Sequence, residues 1–287
     1  LQTGKLKTAN WYQDSINSIV TFNKGKDIRL QEIDVTFLEK YKSHYLNKGL
    51  SKNSIGARLR ALRALMNKAQ KEGEEFLSKS HKPFEDFSIP TQKTAKRAVS
   101  KDVINTLRVF PLEQFSNPWH NRNYFLFMFN MQGMNFVDLA KLKVSQISKG
   151  RLHYIRSKTN RPYDLKLTKE SEEILSHYLP NKKSTDFVFP ILTKEIGNDP
   201  ILVSKTCDQF LHVFNNNLRK LAKKCGIEQK ITSYVARHSW ASAARKLGVS
   251  TDVIGDALGH NNYSTTEVYL QEFDTDRLDE VNLLVTS

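Results

Sequence analysis

The spacing of apolar positions changes character along the chain. Up to about residue 90 they recur at helical intervals. "NWYQDSINSIVTFNKG" carries Trp11, Ile16, Ile19 and Val20 and closes on Gly25. "DVTFLEKYKSHYLNKG" opens on Asp34, a suitable cap, and carries Phe37, Leu38, Tyr41 and Tyr45. "SKNSIGARLRALRALMNKAQKEG" sets Ile55, Leu59, Leu62, Leu65 and Met66 on one stripe. These segments predict a small helical bundle. Ser100 then predicts the cap of a short helix. "YFLFMFNMQGMNFVDLA" is interrupted by Asn130, Gln132 and Asn135, which makes it too short an apolar run for a bilayer and predicts a buried helix around 120–131. In "KLKVSQISKGRLHYIRSKTNRPYDLKLTK" the pattern switches to alternation, with Gly150 and Asn160 at turn positions, and predicts a three-stranded antiparallel patch. Helical spacing resumes in "SEEILSHYL", "KTCDQFLHVFNNNLRKLAKKCG", "SYVARHSWASAARKLG", "STDVIGDALG" and "STTEVYLQEF". The expected fold class is mainly α with one small antiparallel β-sheet.

A stretch of different composition divides this pattern. "HKPFEDFSIPTQKTAKRAVS" holds two prolines and the basic residues Lys93, Lys96 and Arg97, and reads as an exposed connection. The expected organisation is a helical domain over 1–90, a linker over 91–98 and a second domain over 99–287. No glycine-rich phosphate loop is present, and nothing in the strand pattern suggests a doubly wound nucleotide fold.

Charge narrows the function. The formal net charge is +14 with a pI near 9.6, so the partner is a polyanion, either nucleic acid or an anionic membrane surface. The third helical segment concentrates that charge: Lys52, Arg58, Arg60, Arg63, Lys68 and Lys71 precede its first acid, Glu72. Cys207 and Cys225 are too few for a disulfide framework and too isolated for a zinc site, which points to a cytoplasmic setting. No signal peptide is visible. The chain does not begin with Met, and the expectation is a processed protein or a fragment.

Candidate chemistry gathers late in the sequence. Arg237 lies among small and apolar neighbours near a helix start, with no acid within a turn, and a desolvated guanidinium needs an anion. Either a distant carboxylate pairs with it or the anion arrives from outside. Gly259 predicts a helix end that exposes His260, and Ser264 predicts the cap of a helix that carries Tyr269. Lys158 falls on the predicted hairpin. Each residue alone has a structural explanation; together they suit phosphoryl transfer to a tyrosine. Fixed cations would neutralise the phosphate attacked by Tyr269, Arg237 would offer a fork of donors, His260 one more, and Lys158 a proton for the departing 5′ oxygen. Such a scheme requires no cofactor, and no carboxylate pair or His-rich metal motif is present.

Residues 232–270, "TSYVARHSWASAARKLGVSTDVIGDALGHNNYSTTEVYL", strongly resemble the carboxy-terminal signature of the tyrosine recombinases, or phage integrase family. The resemblance implies that Arg237 is the family's second arginine, His260 the phosphate-contacting residue and Tyr269 the nucleophile. "RSKTNRPYDLKL" resembles the hairpin of the catalytic lysine, which falls on Lys158, and "MQGMNFVDLAKL" resembles the first-arginine box. Residues 9 to about 88 resemble the core-binding domain more weakly. Two positions depart from the pattern: Asn135 stands where the first arginine belongs, and Tyr234 where the family usually has a histidine. The pattern resembles integrases of conjugative transposons and related mobile elements of the Bacteroides group, in which the first arginine can be absent.

The resemblance implies strand exchange at specific core sites in double-stranded DNA by a homotetramer, through a 3′-phosphotyrosyl link and a four-way junction. DNA-bending accessory proteins and a missing arm-binding domain are further expectations, and no membrane association is expected. Lys52, Arg58, Arg60, Arg63, Lys93, Lys96, Arg97 and Arg122 are the candidate DNA contacts. Three explanations of Asn135 stand open: another basic residue supplies the charge, with Arg122 as the candidate; the site works more slowly with what it has; or the protein binds DNA of the same kind without cutting it. A relaxing topoisomerase and a helical scaffold are the remaining alternatives.

Overall fold

Side-chain caps set where most helices begin. The computed structural model describes residues 6–73, 75–92 and 98–259, and forms two compact units, Leu1–Ala95 and Lys96–Ser287. In the first unit, α1 (Leu6–Phe22), α2 (Val35–Asn47) and α3 (Lys52–Glu72) form a bundle. The Asp34 carboxylate accepts from the Phe37 amide at 2.6 Å at the start of α2, and Ser51 caps α3 through the Ser54 amide. Leu38, Tyr41 and Tyr45 pack against Ile55, Leu59, Leu62 and Met66, as the spacing predicts.

The inward face of α1 differs from its predicted apolar stripe. Ile16 is exposed, whereas Ser15 and Ser18 are buried. Both hydroxyls are satisfied: Ser15 donates to the Arg58 carbonyl at 2.8 Å, and Ser18 pairs with the Tyr41 hydroxyl at 2.6 Å. Their small side chains allow α1 and α3 to approach closely, and the hydrogen bonds offset the cost of burying them.

The segment after α3 is also not the exposed connection its composition suggests. Leu77 and Phe87 are buried in the first unit's core, with Phe84 and Ile89 packed against it. The Gln70 amide donates to the carbonyls of Ser78 and His81. Asn53 then pairs reciprocally with Gln92, donating to its carbonyl at 2.7 Å and accepting from its amide at 2.9 Å. Residues 89–92 therefore cross the first turns of α3. The crossing needs Gly56, because a Cβ there would collide with the Pro90 carbonyl oxygen.

The second unit is built around α5 (Asn117–Asn130). It is capped by Ser116 and packs against α4 (Lys101–Val109), α7 (Lys169–Ser176), α9 (Pro200–Lys224) and α10 (Ser233–Lys246). Surrounded in this way, α5 buries residues on every side, including Trp119, Phe125, Phe127 and Met128. A short α6 (Phe136–Ala140) follows it. The sheet is antiparallel in the order β1 (Ile147–Ser148), β2 (Arg151–Ile155), β3 (Pro162–Lys166), with Leu152 opposite Leu165 and Tyr154 opposite Tyr163. Lys149, Gly150 and Asn160 adopt positive φ at its turns. A short α8 (Lys194–Gly197) precedes α9, and α11 (Thr251–Leu258) ends on Gly259 in the left-handed region. Among the described residues no helix is long and apolar enough to cross a membrane.

Candidate active site

Four separate elements meet around the guanidinium of Arg237: the loop between α5 and α6, the β2–β3 hairpin, α10 and the end of α11. Arg237 is 4% exposed. It donates to the Gly133 carbonyl at 3.1 Å and to the Leu258 carbonyl. The approach of the Gly133 loop is tight. Gly133 has φ +68°, and a Cβ there would lie 2.6 Å from the Arg237 Cα. Asn135 follows at the start of α6, where its side chain makes no capping hydrogen bond.

The hairpin brings a second buried arginine that the family pattern does not single out. Arg156 is 5% exposed and donates through Nη1 to the Leu258 carbonyl at 2.5 Å and the Gly259 carbonyl at 2.8 Å. Two guanidinium groups thus share one carbonyl oxygen. Burial, and then the positive charge of Arg156, pull the Arg237 pKa down to about 10, while the phenols of Tyr163, Tyr234 and Tyr154 oppose the shift. A signal for Arg156 is present in the alternation: with Leu152 and Tyr154 pointing inward, residue 156 falls on the same face.

The same hairpin presents Lys158. Arg156 frames the turn, since its amide donates to the Arg161 carbonyl and its carbonyl accepts from the amides of Thr159 and Asn160. Lys158 sits exposed on that turn. The Asp138 carboxylate holds the turn's base by accepting from the Ser157 amide at 2.9 Å, and Arg161 pairs with Asp256 of α11 at 3.2 Å. Tyr163, stacked on Tyr154 with ring centroids 5.0 Å apart, presses its hydroxyl against Gly259 where any Cβ would collide. Tyr234 is partly exposed one turn before Arg237, with its ring edge-on to His238 at 4.6 Å.

His260 and Tyr269 lie outside the described residues, as do Lys93, Lys96 and Arg97. The described part of the site therefore reaches Gly259, one residue before His260.

The candidate DNA-contacting residues divide into two groups. Lys52, Arg60 and Arg63 are exposed on α3, with no side-chain hydrogen bond or ion pair among the described residues. Arg58 is turned inward instead. Its guanidinium lies 5.1 Å from the Tyr45 ring centroid, which makes it a packing residue of the bundle. Arg122 does not join the Arg237 cluster: it donates to the carbonyls of Phe110 at 2.7 Å and Arg108 at 3.3 Å, binding α5 to the end of α4. Arg156, not Arg122, is the cation placed beside Arg237.

The sequence profile of the phage integrase family matches residues 97–276, and that of the phage integrase SAM-like domain matches residues 1–89. The chain belongs to the phage integrase family. A tyrosine recombinase of Pseudothermotoga lettingae is 25% identical to this family member over 280 residues, covering 96% of this chain and 90% of its own. Among solved structures, the XerH site-specific recombinase in a post-cleavage complex with a palindromic difH substrate superposes with a TM-score of 0.70. It is 17% identical and covers 97% of this chain and 80% of that one. The Tn1549 transposon integrase in complex with transposon right-end DNA gives 0.66 at 11% identity, covering 97% of this chain and 94% of that one. At such identities the likeness concerns the fold, which is that of a tyrosine recombinase: an amino-terminal helical domain followed by a catalytic domain with one small sheet.

Proposed function

We propose that this phage integrase family member is a site-specific DNA recombinase that cuts and rejoins strands through a 3′-phosphotyrosyl link on Tyr269. The observation that carries this reading is the convergence at Arg237. A buried guanidinium, the Lys158 hairpin, the Asn135 loop and the helix end leading to His260 are fastened together by hydrogen bonds to one another's backbones. In the reaction the Tyr269 Oη gives its proton to water and bonds to phosphorus, and the bond from phosphorus to the 5′ oxygen breaks. Lys158 gives the leaving oxygen its proton. Arg237, His260 and the Tyr234 hydroxyl hold the non-bridging oxygens, and Asn135 adds no charge. The 5′ hydroxyl of a partner strand reverses the steps, so the phosphodiester energy is kept in the covalent link and no metal or nucleotide is consumed.

The finer reading is a homotetramer at core sites in double-stranded DNA, exchanging strands in two stages with DNA-bending accessory proteins. The exposed Lys52, Arg60 and Arg63 of the 1–90 core-binding domain, with Lys93, Lys96 and Arg97 of the linker, contact phosphates. Asn135 in place of the first arginine supports a mobile element of the Bacteroides conjugative-transposon type, acting in the cytoplasm. The test offers the protein a library of nicked duplexes with a randomised core, in chelator, and recovers covalent adducts under denaturing conditions. An adduct formed by the wild type and lost in Tyr269→Phe is expected. Tight duplex binding with no adduct would instead leave the binding-only reading that Asn135 favours.

A further inference from the structure

The turn between α5 and α6 holds its backbone in a form that its sequence does not favour. Gln132 has φ +53° and Gly133 φ +68°, two left-handed residues in succession. A helix end ordinarily takes glycine or asparagine at such a position, and a long side chain there is strained. Lys24–Gly25 and Lys149–Gly150 form the same left-handed pair, but both lie on exposed turns. Gln132 is half-buried, and its turn is clamped. Gly133 lies against the Arg237 Cα and gives its carbonyl to the Arg237 guanidinium at 3.1 Å. The Met134 amide closes the turn by donating to the carbonyls of Met128 and Met131, each at 3.0 Å. The Gln132 Cα therefore stands one trans peptide, about 3.8 Å, from a glycine packed on Arg237. Yet the Gln132 carboxamide makes no hydrogen bond among the described residues. Strain that glycine would remove, and that no side-chain hydrogen bond offsets, collects where a side chain serves a function. Asn135, in the same loop, has relaxed extended backbone with φ −75° and ψ 149°. Of the two carboxamides only that of Gln132 is held at a cost.

We propose that Gln132 is a catalytic residue whose Nε2 amide donates to a non-bridging oxygen of the scissile phosphodiester, from the loop in which Asn135 leaves no cation. This rests on the recombinase reading of the site. A carboxamide suits the place because it is neutral. Arg156 and Arg237 are already buried together, and a third cation beside them would add repulsion before any DNA arrives. A fixed neutral donor still stabilises an oxyanion, since it is oriented before the charge develops. The left-handed backbone sets the direction of the Cα–Cβ bond, and glycine, which would fit the turn without strain, has no donor to direct.

The test uses the full chain and a duplex selected from the adduct library, made in three forms. One carries the natural scissile phosphate, and the others carry the two methylphosphonate diastereomers, each with one non-bridging oxygen replaced by a methyl group. Gln132→Met keeps the length and the turn but removes the donor. It should slow adduct formation on the natural duplex by about 10²–10³-fold, the usual loss for one donor to a developing anion. On the diastereomer lacking the oxygen that Gln132 takes, the deficit should shrink to within about twofold, and on the other it should persist. Gln132→Gly removes the donor and relieves the turn, so it should slow the adduct equally while the melting temperature stays at or above that of wild type. Lys149→Gly relieves the same backbone form at an exposed turn and should leave the adduct rate unchanged. Rates within about twofold of wild type in both Gln132 variants, or a deficit equal on all three duplexes, overturn the assignment and leave Gln132 as a turn residue. A lower melting temperature for Gln132→Gly, or an equal slowing by Lys149→Gly, overturns it too. Absence of any wild-type adduct overturns the recombinase reading, and this assignment with it.

Discussion

Gly133→Ala would place a methyl group where the chain leaves no room. The added Cβ would lie 2.6 Å from the Arg237 Cα and 2.9 Å from its Cγ, atoms of the backbone and stem that cannot swing aside. Two costs add. A residue with a Cβ in the left-handed region costs about 1–2 kcal/mol, and overpacking a closed site costs about 1–3 kcal/mol more. Gly226 separates the two, since it has φ +71° and nothing within 4 Å of where a Cβ would stand. Its alanine variant carries the backbone cost alone, and the loss of unfolded-chain freedom is the same at both positions. Urea denaturation followed by tryptophan fluorescence should show losses of about 1–2 kcal/mol for Gly226→Ala and about 2–5 kcal/mol for Gly133→Ala. The Gly133 carbonyl orients Arg237, so Gly133→Ala should also depress adduct formation in whatever protein remains folded. Equal destabilisation by the two substitutions would refute the contact as the cause.

Arg58→Ala should destabilise the first unit by about 1–2 kcal/mol through the lost packing over the Tyr45 ring. Arg63→Ala should leave stability within about 0.5 kcal/mol but weaken duplex binding and lower the salt dependence by about one counterion; the reverse pattern would show that their roles are exchanged. Arg161→Ala breaks only an exposed ion pair with Asp256, and a chemical-denaturation change beyond about 1 kcal/mol would contradict that account. His120 is held below its ordinary pKa of 6.5 by burial beside Tyr178. The unfolded chain therefore takes up a proton more readily, and the contribution of this residue is full above 6.5 and lost as pH falls towards the lower folded value. His120→Gln should flatten that part of the stability profile, measured by thermal melts on either side of 6.5.

Elements whose ends are marked by their own residues are legible in the sequence. Asp34 and Ser100 cap the helices their positions predict, and Gly150 and Asn160 turn the hairpin. The start of α9 is not: the helical spacing is read from Lys205, whereas the helix begins at Pro200, a first-turn residue capped by Asp199. Ser15 and Ser18 escape a search for apolar stripes because close helix packing selects for small size, which hydrophobicity does not register. Residues 81–92 read as an exposed connection because their prolines and charges outweigh Phe84, Phe87 and Ile89 in composition, although those three are what hold the segment down. At the site, Arg237 and Lys158 stand out by spacing. Arg156 becomes visible only when the strand phase is carried one residue past the ladder, because its significance comes from carbonyls 102 and 103 positions away.

The crossing at Gly56 bears on how load passes along the chain. Residues 89–92 are fastened to α3 by the Asn53–Gln92 pair, so tension on the connection enters the molecule at the first turns of the helix that displays Lys52, Arg60 and Arg63. The anchorage of the tether and the basic surface are thus one mechanical part, and a strain at either would be felt at the other.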